Sequence, residues 1–266
     1  QRGRAWIPLI FLFWSVPAVV LLGFTRVALD LERLAGPIMG DEAGRYRFLV
    51  VLLGVLVTLG LSTFLNAPTS ITLALIGSLA GAALGMGDEV PWHPLVRIVL
   101  LGIAAPAFAV SMSFLIRFVQ RRLPLRRDRT RRRRLLLRIG YFYLLAAYAG
   151  NDGQKVLFAL ALALGVTVQG ATGNFWWVLL AALVFTVSAL SGAARSGRFI
   201  RHGIARSSAS ALSIAEFTAG TAVFAGSFLG ASLSITQSIS GGLAGSALAM
   251  SLRGLYWSGV RRVLLT

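Results

Sequence analysis

The chain has 266 residues, of which 56% are hydrophobic and only 13% are charged. A soluble domain averages about 45–50% apolar and about 25% charged residues, so this composition excludes an ordinary soluble enzyme. The net charge of +17 could suggest nucleic-acid binding, but the arginines cluster between apolar segments, which argues against a nucleic-acid partner. We therefore predict an all-α polytopic membrane protein in contact with membrane lipid.

Apolar runs of different length open the chain. The first run, residues 6–29, is followed by a loop of mixed charge and by a second predicted span at 48–65. Residues 66–86 begin with a helix break at Pro68 and continue as a glycine-rich apolar stretch. That stretch is too short for a helix to cross a bilayer, so we predict a re-entrant segment.

An arginine-rich stretch, residues 121–138, follows the third predicted span at 95–119. Under the positive-inside rule, a short basic loop between spans lies on the cytoplasmic side. We therefore predict a cytoplasmic loop in a protein of the plasma (inner) membrane. The loop would divide an incomplete N-terminal repeat, residues 1–120, from a C-terminal repeat, residues 139–266.

The second half contains one long apolar segment and several shorter ones. The long segment, residues 135–168, is interrupted at 150–155 by Gly-Asn-Asp-Gly-Gln-Lys. Predicted spans at 175–191 and 209–230 follow, with a weaker basic loop between them. Residues 231–250 then repeat the short glycine-rich pattern and are predicted to be a second re-entrant segment.

Two of these pieces are copies of one another. Ser70-Ile71-Thr72 matches Ser234-Ile235-Thr236, and the G-x-L-A-G pattern of residues 77–81 recurs at the same offset in residues 241–245. Internal repeats of broken, glycine-interrupted segments are typical of secondary transporters.

Repeats of this kind are often inverted across the bilayer, which requires an odd number of crossings between equivalent points. Four predicted spans lie between the two copies, so either the repeats are parallel or one segment is miscounted. We favour two passes for the long segment interrupted at 150–155. The predicted fold class is then a membrane protein of internal, inverted repeats, with broken helices and two re-entrant Ser/Thr-Gly hairpin segments.

Three ionisable residues, Asp152, Lys155 and Glu216, lie inside apolar segments, where such groups are by default functional. Asp152 and Lys155 are three residues apart and could neutralise each other as a self-contained pair. Alternatively, Gly150 and Gly153 could let the helix unwind there and expose backbone groups to a cation and an anion. Glu216 is a candidate site for a coupling ion or proton, or a buried neutral acid.

The repeated Ser-Ile-Thr segments supply donors for an anion. Each segment follows a break and opens a short helix, so its first N–H groups lack partners within the helix. The hydroxyls of Ser70, Thr72, Ser234 and Thr236 add further donors, and such helix N-termini bind anions. The plainer alternative is that these serines and threonines only cap their helices.

These residues resemble a known family. The sequence AGNDGQKV at 149–156 resembles the GxNDGQK signature in the C-terminal half of the PiT family of inorganic phosphate transporters. Residues 69–81 and 233–245 resemble that family's two PVSTTH-type segments, and residues 195–216 resemble its arginine-containing loop and Glu-bearing helix. The resemblance extends from Phe48 to the end of the chain.

The resemblance implies an inverted-repeat symporter that imports inorganic phosphate with sodium, or with protons in some members. Sodium would be the coupling ion, and no other cofactor is expected; a homodimer is also implied. Asn151 and Asp152 would hold sodium and phosphate. The substrate-binding hydroxyls would come from Ser70, Thr72, Ser234 and Thr236, and Gln154 and Lys155 match the motif.

The sequence also departs from the family pattern. The terminal histidine of the PVSTTH-type segments is Leu73 in one copy and Gln237 in the other, and the proline of the second copy is Ser232. At the repeat offset, an N-terminal equivalent of Asn151-Asp152 would precede residue 1. Two alternatives therefore stand beside phosphate import: a sulfate or other oxyanion permease of the same fold, and a degenerate, non-transporting subunit that binds a partner or lipid. The sequence offers no nucleophile–base pair or metal cluster for an enzyme.

Overall fold

The computed structural model describes residues 6–39, 44–64, 70–122, 130–203, 208–251 and 255–264. Its elements in these ranges are helices: α1 (Trp6–Leu21), α2 (Arg26–Met39), α3 (Gly44–Phe64), α4 (Ile71–Met86), α5 (Trp92–Arg122), α6 (Thr130–Tyr148), a π-helical turn (Ala149–Gly153), α7 (Gln154–Leu164), α8 (Val168–Gly173), α9 (Phe175–Gly203), α10 (Ala209–Phe228), α11 (Ile235–Leu248) and α12 (Trp257–Leu264). The all-α fold class is confirmed.

Among the described residues, two helices, α5 and α10, are long and apolar enough to cross a membrane. The helix pair formed by α1 and the first part of α2 would be a third candidate, although it is bent by 72°. Shorter apolar helices lie at Tyr46–Ser62, Ile71–Met86 and Phe175–Leu190.

The first apolar run is interrupted in the structure, and the mixed-charge loop predicted after it is wrong at residues 30–39 and 44–47, which are helical; residues 40–43 lie outside the described residues. Gly23, with φ +77°, ends α1, and the chain then turns into helix α2. The helix forms because its apolar residues recur on one face, which is buried at Val27, Ala28, Leu31, Leu34 and Ala35. Its charged residues lie on the opposite face, as in an amphipathic helix.

The core of the second half is built around α10 and α11. A Cβ added at Gly241 would lie 2.6 Å from the Pro106 carbonyl oxygen, and one at Gly245 would meet the Val110 carbonyl oxygen. The two glycines therefore let α11 lie directly against the backbone of α5. Gly220 in α10 approaches the Tyr143 ring of α6 in the same way.

The two helices that begin at the repeated Ser-Ile-Thr segments, α4 and α11, run to opposite ends of α5. Five residues separate the end of α4 at Met86 from the start of α5 at Trp92. Helix α11 ends beside the last turn of α5, where the Arg121 guanidinium donates a hydrogen bond to the Ala249 carbonyl oxygen. With 31 residues, α5 is about 46 Å long, so the two ends are well separated.

The two-pass expectation for the long segment is wrong, because α6, the π-helical turn and α7 form one uninterrupted helical path from Thr130 to Leu164. The chain nevertheless returns to the start of α5 before α11, since Arg97 donates a 2.6 Å hydrogen bond to the Leu229 carbonyl oxygen. From that end α11 runs back toward Arg121. Helices α4 and α11 can therefore run in opposite directions although the number of predicted spans between them is even. Inversion of the complete repeats stays a prediction.

Helices also extend into both basic stretches predicted as loops. Within 121–138, α5 continues to Arg122 and α6 begins at Thr130; residues 123–129 lie outside the described residues. Helix α9 continues to Gly203 through the second basic stretch. The predicted break at Pro68 also lies outside the described residues.

Candidate functional site

The Asn-Asp-Gly motif lies in the π-helical turn, residues Ala149–Gly153, between α6 and α7. The expectation that Gly150 and Gly153 unwind the helix is wrong, because the backbone remains helical and only widens. Gly153 serves close packing instead, since a Cβ there would lie 2.8 Å from Cγ2 of Val16 in α1. Single π-helical turns inside α-helices occur frequently at functional sites.

Asn151 connects this turn to the linker that precedes α11. Its side chain is fully buried, and its Nδ2 donates hydrogen bonds to Ser227 Oγ at 3.1 Å and to the Ala231 carbonyl oxygen at 3.2 Å. Its Oδ1 accepts a 3.2 Å hydrogen bond from the Leu233 backbone N–H. In this conformation, Asn151 therefore sets the path of residues 231–233.

Lys155 lies where three segments meet, and only 5% of its surface is exposed. Its ammonium forms the predicted ion pair with Asp152, so that pairing is confirmed. It also donates to Thr72 Oγ1 at 2.6 Å and to the Leu233 carbonyl oxygen at 3.2 Å. Because an ammonium group has three N–H donors, these three partners use its full capacity. The Asp152–Lys155 pair is therefore not self-contained.

The N-termini of α4 and α11 adjoin at this ammonium group. Thr72, in the first turn of α4, donates a 3.2 Å hydrogen bond to the Leu233 carbonyl oxygen just before α11. Ser232 Oγ lies 3.4 Å from Thr72 Oγ1 and donates to it. The structure thus brings together the two copies of a repeated segment that are 164 residues apart in sequence.

Ser70 and Ser234 cap these two helices in the same way. Ser70 Oγ accepts a hydrogen bond from the Leu73 N–H, and Ser234 Oγ accepts one from the Gln237 N–H, both at 3.4 Å. The capping role is therefore confirmed. A helix N-terminus carries roughly half a positive charge, so the two N-termini together contribute about one positive charge to the junction.

Gln154 supports the π-helical turn. Its Nε2 donates to the Gly150 carbonyl oxygen, a group that the widened turn leaves available. Its Oε1 accepts a 3.2 Å hydrogen bond from the Ala28 N–H of α2. The buried Gln154 side chain therefore joins α2 to the site and lies away from the α4–α11 junction.

Two further candidates are not among the partners of Lys155. Thr236 is in the first turn of α11 and is partly exposed. Glu216 is buried in α10, close to Gly140 of α6: a Cβ there would lie 3.0 Å from its Oε2. Gly140 precedes Asn151 by eleven residues, so Glu216 lies on the order of 16 Å away along the helical path.

Sequence reasoning missed several groups at the site. Ser227 and the backbone of Ala231 and Leu233 carry no motif, because their role arises from the path of the linker. Ser232 stood out in the sequence only as a departure from the family pattern, although it replaces an apolar proline with a hydroxyl donor beside a repeated segment.

Among the described residues, no group of three or more His, Cys, Asp or Glu side chains could hold a metal ion. The oxygen-bearing groups around the junction are the Asp152 carboxylate, the Thr72 and Ser232 hydroxyls and the Leu233 carbonyl.

Comparison with known proteins agrees with this architecture. The sequence model of the phosphate transporter family matches residues 35–147. A solved structure described as "The sodium-dependent phosphate transporter" is similar in fold, with a TM-score of 0.68 and 14% identity over 97% of this chain and 93% of that chain. The comparison with curated proteins finds no match. With a match to the family's sequence model at residues 35–147 and a similar fold along nearly the whole chain, this integral membrane protein resembles the phosphate transporter family.

Proposed function

We propose that the protein is a secondary transporter that imports inorganic phosphate together with sodium. One observation carries the proposal: the N-termini of α4 and α11 adjoin at the buried ammonium group of Lys155. Oriented N–H donors, hydroxyl groups and a cation in one water-poor place match the chemistry of an oxyanion. The match to the phosphate transporter family model and the similar fold support the same reading.

Phosphate would bind between the two helix N-termini. Ser70, Thr72, Ser234 and Thr236 lie in or directly before the first turns of α4 and α11, so their hydroxyls can donate to phosphate oxygens. The hydroxyl of Thr72 and the ammonium of Lys155 now bond each other and the Leu233 carbonyl oxygen. Phosphate binding would replace these internal contacts with contacts to its own oxygens.

The Asp152–Lys155 pair provides a physical reason for coupling to a cation. As a pair the two charges cancel, so phosphate alone would leave a buried site with excess negative charge. If Lys155 turns to phosphate, the Asp152 carboxylate is left without its cation. Sodium bound by the Asp152 carboxylate, with the Asn151 side-chain oxygen beside it, would restore neutrality. Each ion then favours the binding of the other, which is the energetic requirement for symport.

The carboxylate also favours phosphate over sulfate. A phosphate ion at neutral pH still carries an O–H group, whereas sulfate does not, and an ionised carboxylate can only accept hydrogen bonds. Asp152 can therefore accept from phosphate but would repel sulfate. A sulfate permease of the same fold is the second candidate, since the hydroxyl and N–H donors at the junction would also suit that anion.

Uptake into proteoliposomes tests the proposal directly. Reconstituted protein should accumulate labelled phosphate when sodium is high outside, and accumulate less under a proton gradient of equal size. Unlabelled sulfate in excess should compete weakly. Preferred accumulation of sulfate would select the second candidate, and proton-driven phosphate uptake would change the coupling ion. Uptake of neither anion would favour a non-transporting subunit.

The proposed orientation places residues 121–138 in the cytoplasm and the start of α5 at the outer face. Because the chain contains no cysteine, single cysteines can report this orientation without background labelling. In intact cells, an impermeant maleimide should label a cysteine at His93 and leave one at Arg138 unlabelled. The reverse labelling pattern would invert the proposed topology.

A further inference from the structure

A basic cavity lies at the end of α10, outside the site described above. Its volume is about 330 Å³, and it is lined by Arg26, Leu29, Asp30, Arg33, Arg97 and Leu229. Three guanidinium groups face one carboxylate, so the lining carries a net positive charge. At roughly 30 Å³ per water molecule, the space would accommodate a small anion with part of its hydration shell. We refer to this space as the outer basic cavity.

The arginines of the outer basic cavity are held in place but retain unused donor capacity. Arg26 donates to the Phe228 carbonyl oxygen at 3.2 Å, and Arg97 donates to the Leu229 carbonyl oxygen at 2.6 Å. Arg33 pairs with Asp30 at 3.0 Å, and its side chain is 78% exposed. A guanidinium group has five N–H donors, so these contacts leave others free to meet an oxyanion.

Two structural paths, one through a hydrogen bond and one along the chain, connect this cavity to the proposed phosphate site. Arg26, Asp30 and Arg33 lie on α2, whose Ala28 N–H donates to Gln154 in the sequence motif. Leu229 begins the linker that reaches Leu233, the residue bonded to both Asn151 and Lys155. An anion in the cavity is therefore near the linker that leads to the site.

The cavity also lies at the end of the molecule opposite the arginine-rich stretch. Arg97 and Arg121 are 24 residues apart on α5, which corresponds to about 36 Å. If residues 121–138 are cytoplasmic, the cavity opens at the outer face, where the positive-inside rule disfavours clusters of arginine. A functional requirement for positive charge would explain this departure.

We propose that the outer basic cavity is an antechamber that attracts inorganic phosphate before it reaches the junction of α4 and α11. This inference rests on the proposed function, because the anion is the substrate of import. Arginine forms paired hydrogen bonds with phosphate oxygens, and clustered positive charge raises the encounter rate of an anion. The exposed Arg33 captures phosphate, and the more anchored Arg26 and Arg97 receive it.

A binding experiment tests the cavity without relying on transport. Purified protein in neutral detergent is treated with the arginine reagent phenylglyoxal, and the modified residues are located by peptide mass spectrometry. Inorganic phosphate should slow modification of Arg33 and Arg97 by about threefold or more, relative to chloride of equal ionic strength. Arg138 at the other end of the molecule is the matched control and should be modified at the same rate in both salts.

A lipid headgroup carries the same phosphate chemistry, so a second arm uses lipid in place of the free ion. Bicelles containing an anionic phospholipid should protect these arginines less than inorganic phosphate does. Protection by the anionic lipid without protection by inorganic phosphate would overturn the proposal. Equal modification rates in phosphate and chloride would also overturn it.

Transport kinetics provide a second test with predicted effects of opposite sign. Arg33→Gln should raise the KM for phosphate about threefold at low ionic strength and leave kcat unchanged, because only attraction is lost. Asp30→Asn should lower the KM, because it removes the one carboxylate in the cavity. Both effects should shrink at high ionic strength, and Arg138→Gln should show neither.

The two proposals fail in distinguishable ways. If phosphate is taken up but neither arginine protection nor a KM shift is seen, the antechamber is wrong and the transporter remains. If phosphate protects Arg33 and Arg97 but is not transported, the cavity is an anion site and the proposed function is wrong, and with it the role in import.

Discussion

The serine-capped helices α4 and α11 share a sequence pattern but differ in their surroundings. In α11 every residue from Ser238 to Ser246 is buried, and Gly241 and Gly245 lie against the backbone of α5. In α4 the equivalent glycines, Gly77 and Gly81, face open space with respect to the described part of the chain. The same small-residue pattern therefore serves tight helix packing in one copy only.

This difference in packing gives α4 and α11 different roles at the site they share. Helix α11 is fixed by close contact along its length, whereas α4 makes fewer contacts and so opposes movement less. Thr72 connects α4 to the site, since its buried hydroxyl is hydrogen-bonded both to Lys155 and to the linker before α11. We therefore expect matched substitutions in α4 and α11 to change the free energy of unfolding by unequal amounts along the helices and by more similar amounts at their N-termini.

The largest effect is expected at Lys155, which ties the two copies together. Lys155→Met leaves the Asp152 carboxylate without its cation and should lower the free energy of unfolding by about 3 kcal/mol. The double variant Lys155→Met/Asp152→Asn removes both charges and should regain most of this loss in thermal unfolding while remaining inactive in uptake. A double variant as unstable as the single one would show that the ion pair is not the cause.

Asp152→Asn alone should abolish coupled uptake while the protein still inserts, and wild-type uptake would remove Asp152 from the site.

The glycine pair tests the difference in packing itself. Gly245→Ala places a methyl group against the Val110 carbonyl oxygen and should lower the free energy of unfolding by about 2 kcal/mol, since crowding in packed interiors typically has this effect. Gly81→Ala meets no described atom and should be neutral or stabilising by up to about 1 kcal/mol, because alanine favours helix. Thermal unfolding in detergent measures both; equal losses would contradict the proposed asymmetry.

The repeated threonines should differ by a smaller amount. Thr72→Val removes a buried hydroxyl with several hydrogen-bond partners and should lower the free energy of unfolding by roughly 1.5 kcal/mol. Thr236→Val changes a partly exposed side chain and should fall within about 0.5 kcal/mol. The same denaturation experiment compares the two, and a larger loss at Thr236 would reverse the assignment of the buried contact.

The smallest effects are expected at the caps, where the copies are alike. Ser70→Ala and Ser234→Ala should each lower the free energy of unfolding by about 1 kcal/mol, the usual value for losing an N-cap. If both hydroxyls also contact phosphate, the double variant should raise the KM more than either single variant. An unchanged KM in the double variant would leave the serines with capping alone.

Part of this site could be predicted from the sequence. The matched Ser-Ile-Thr segments predicted two equivalent helix starts, and the three-residue spacing of Asp152 and Lys155 predicted their ion pair. Both are local features of a helix, so sequence spacing determines them. The Lys155 contacts to Thr72 and Leu233 depend on how distant segments pack, and spacing alone could not indicate them.

The errors have identifiable physical causes. Glycines beside Asn151 and Asp152 favour unwinding in isolation, but packing of Gly153 against Val16 and the Gln154 side chain support a helical turn. The spacing of Val27, Leu31 and Leu34 follows the helical period and so indicates the helix α2. The mixed charges of the same segment are equally typical of a loop, which is why a loop was predicted. The direction of α11 could not be read from its length, because length does not show at which end of α5 a helix finishes.

The central claim is that one anion contacts both helix N-termini, and cysteine protection tests it most directly. These 266 residues include no cysteine, so Ser70→Cys and Ser234→Cys each provide a single thiol at one cap. We predict that inorganic phosphate, in the presence of sodium, slows the reaction of both thiols with a small maleimide, and that sulfate slows it less. Protection of only one thiol, or of neither, would contradict a phosphate site shared by α4 and α11.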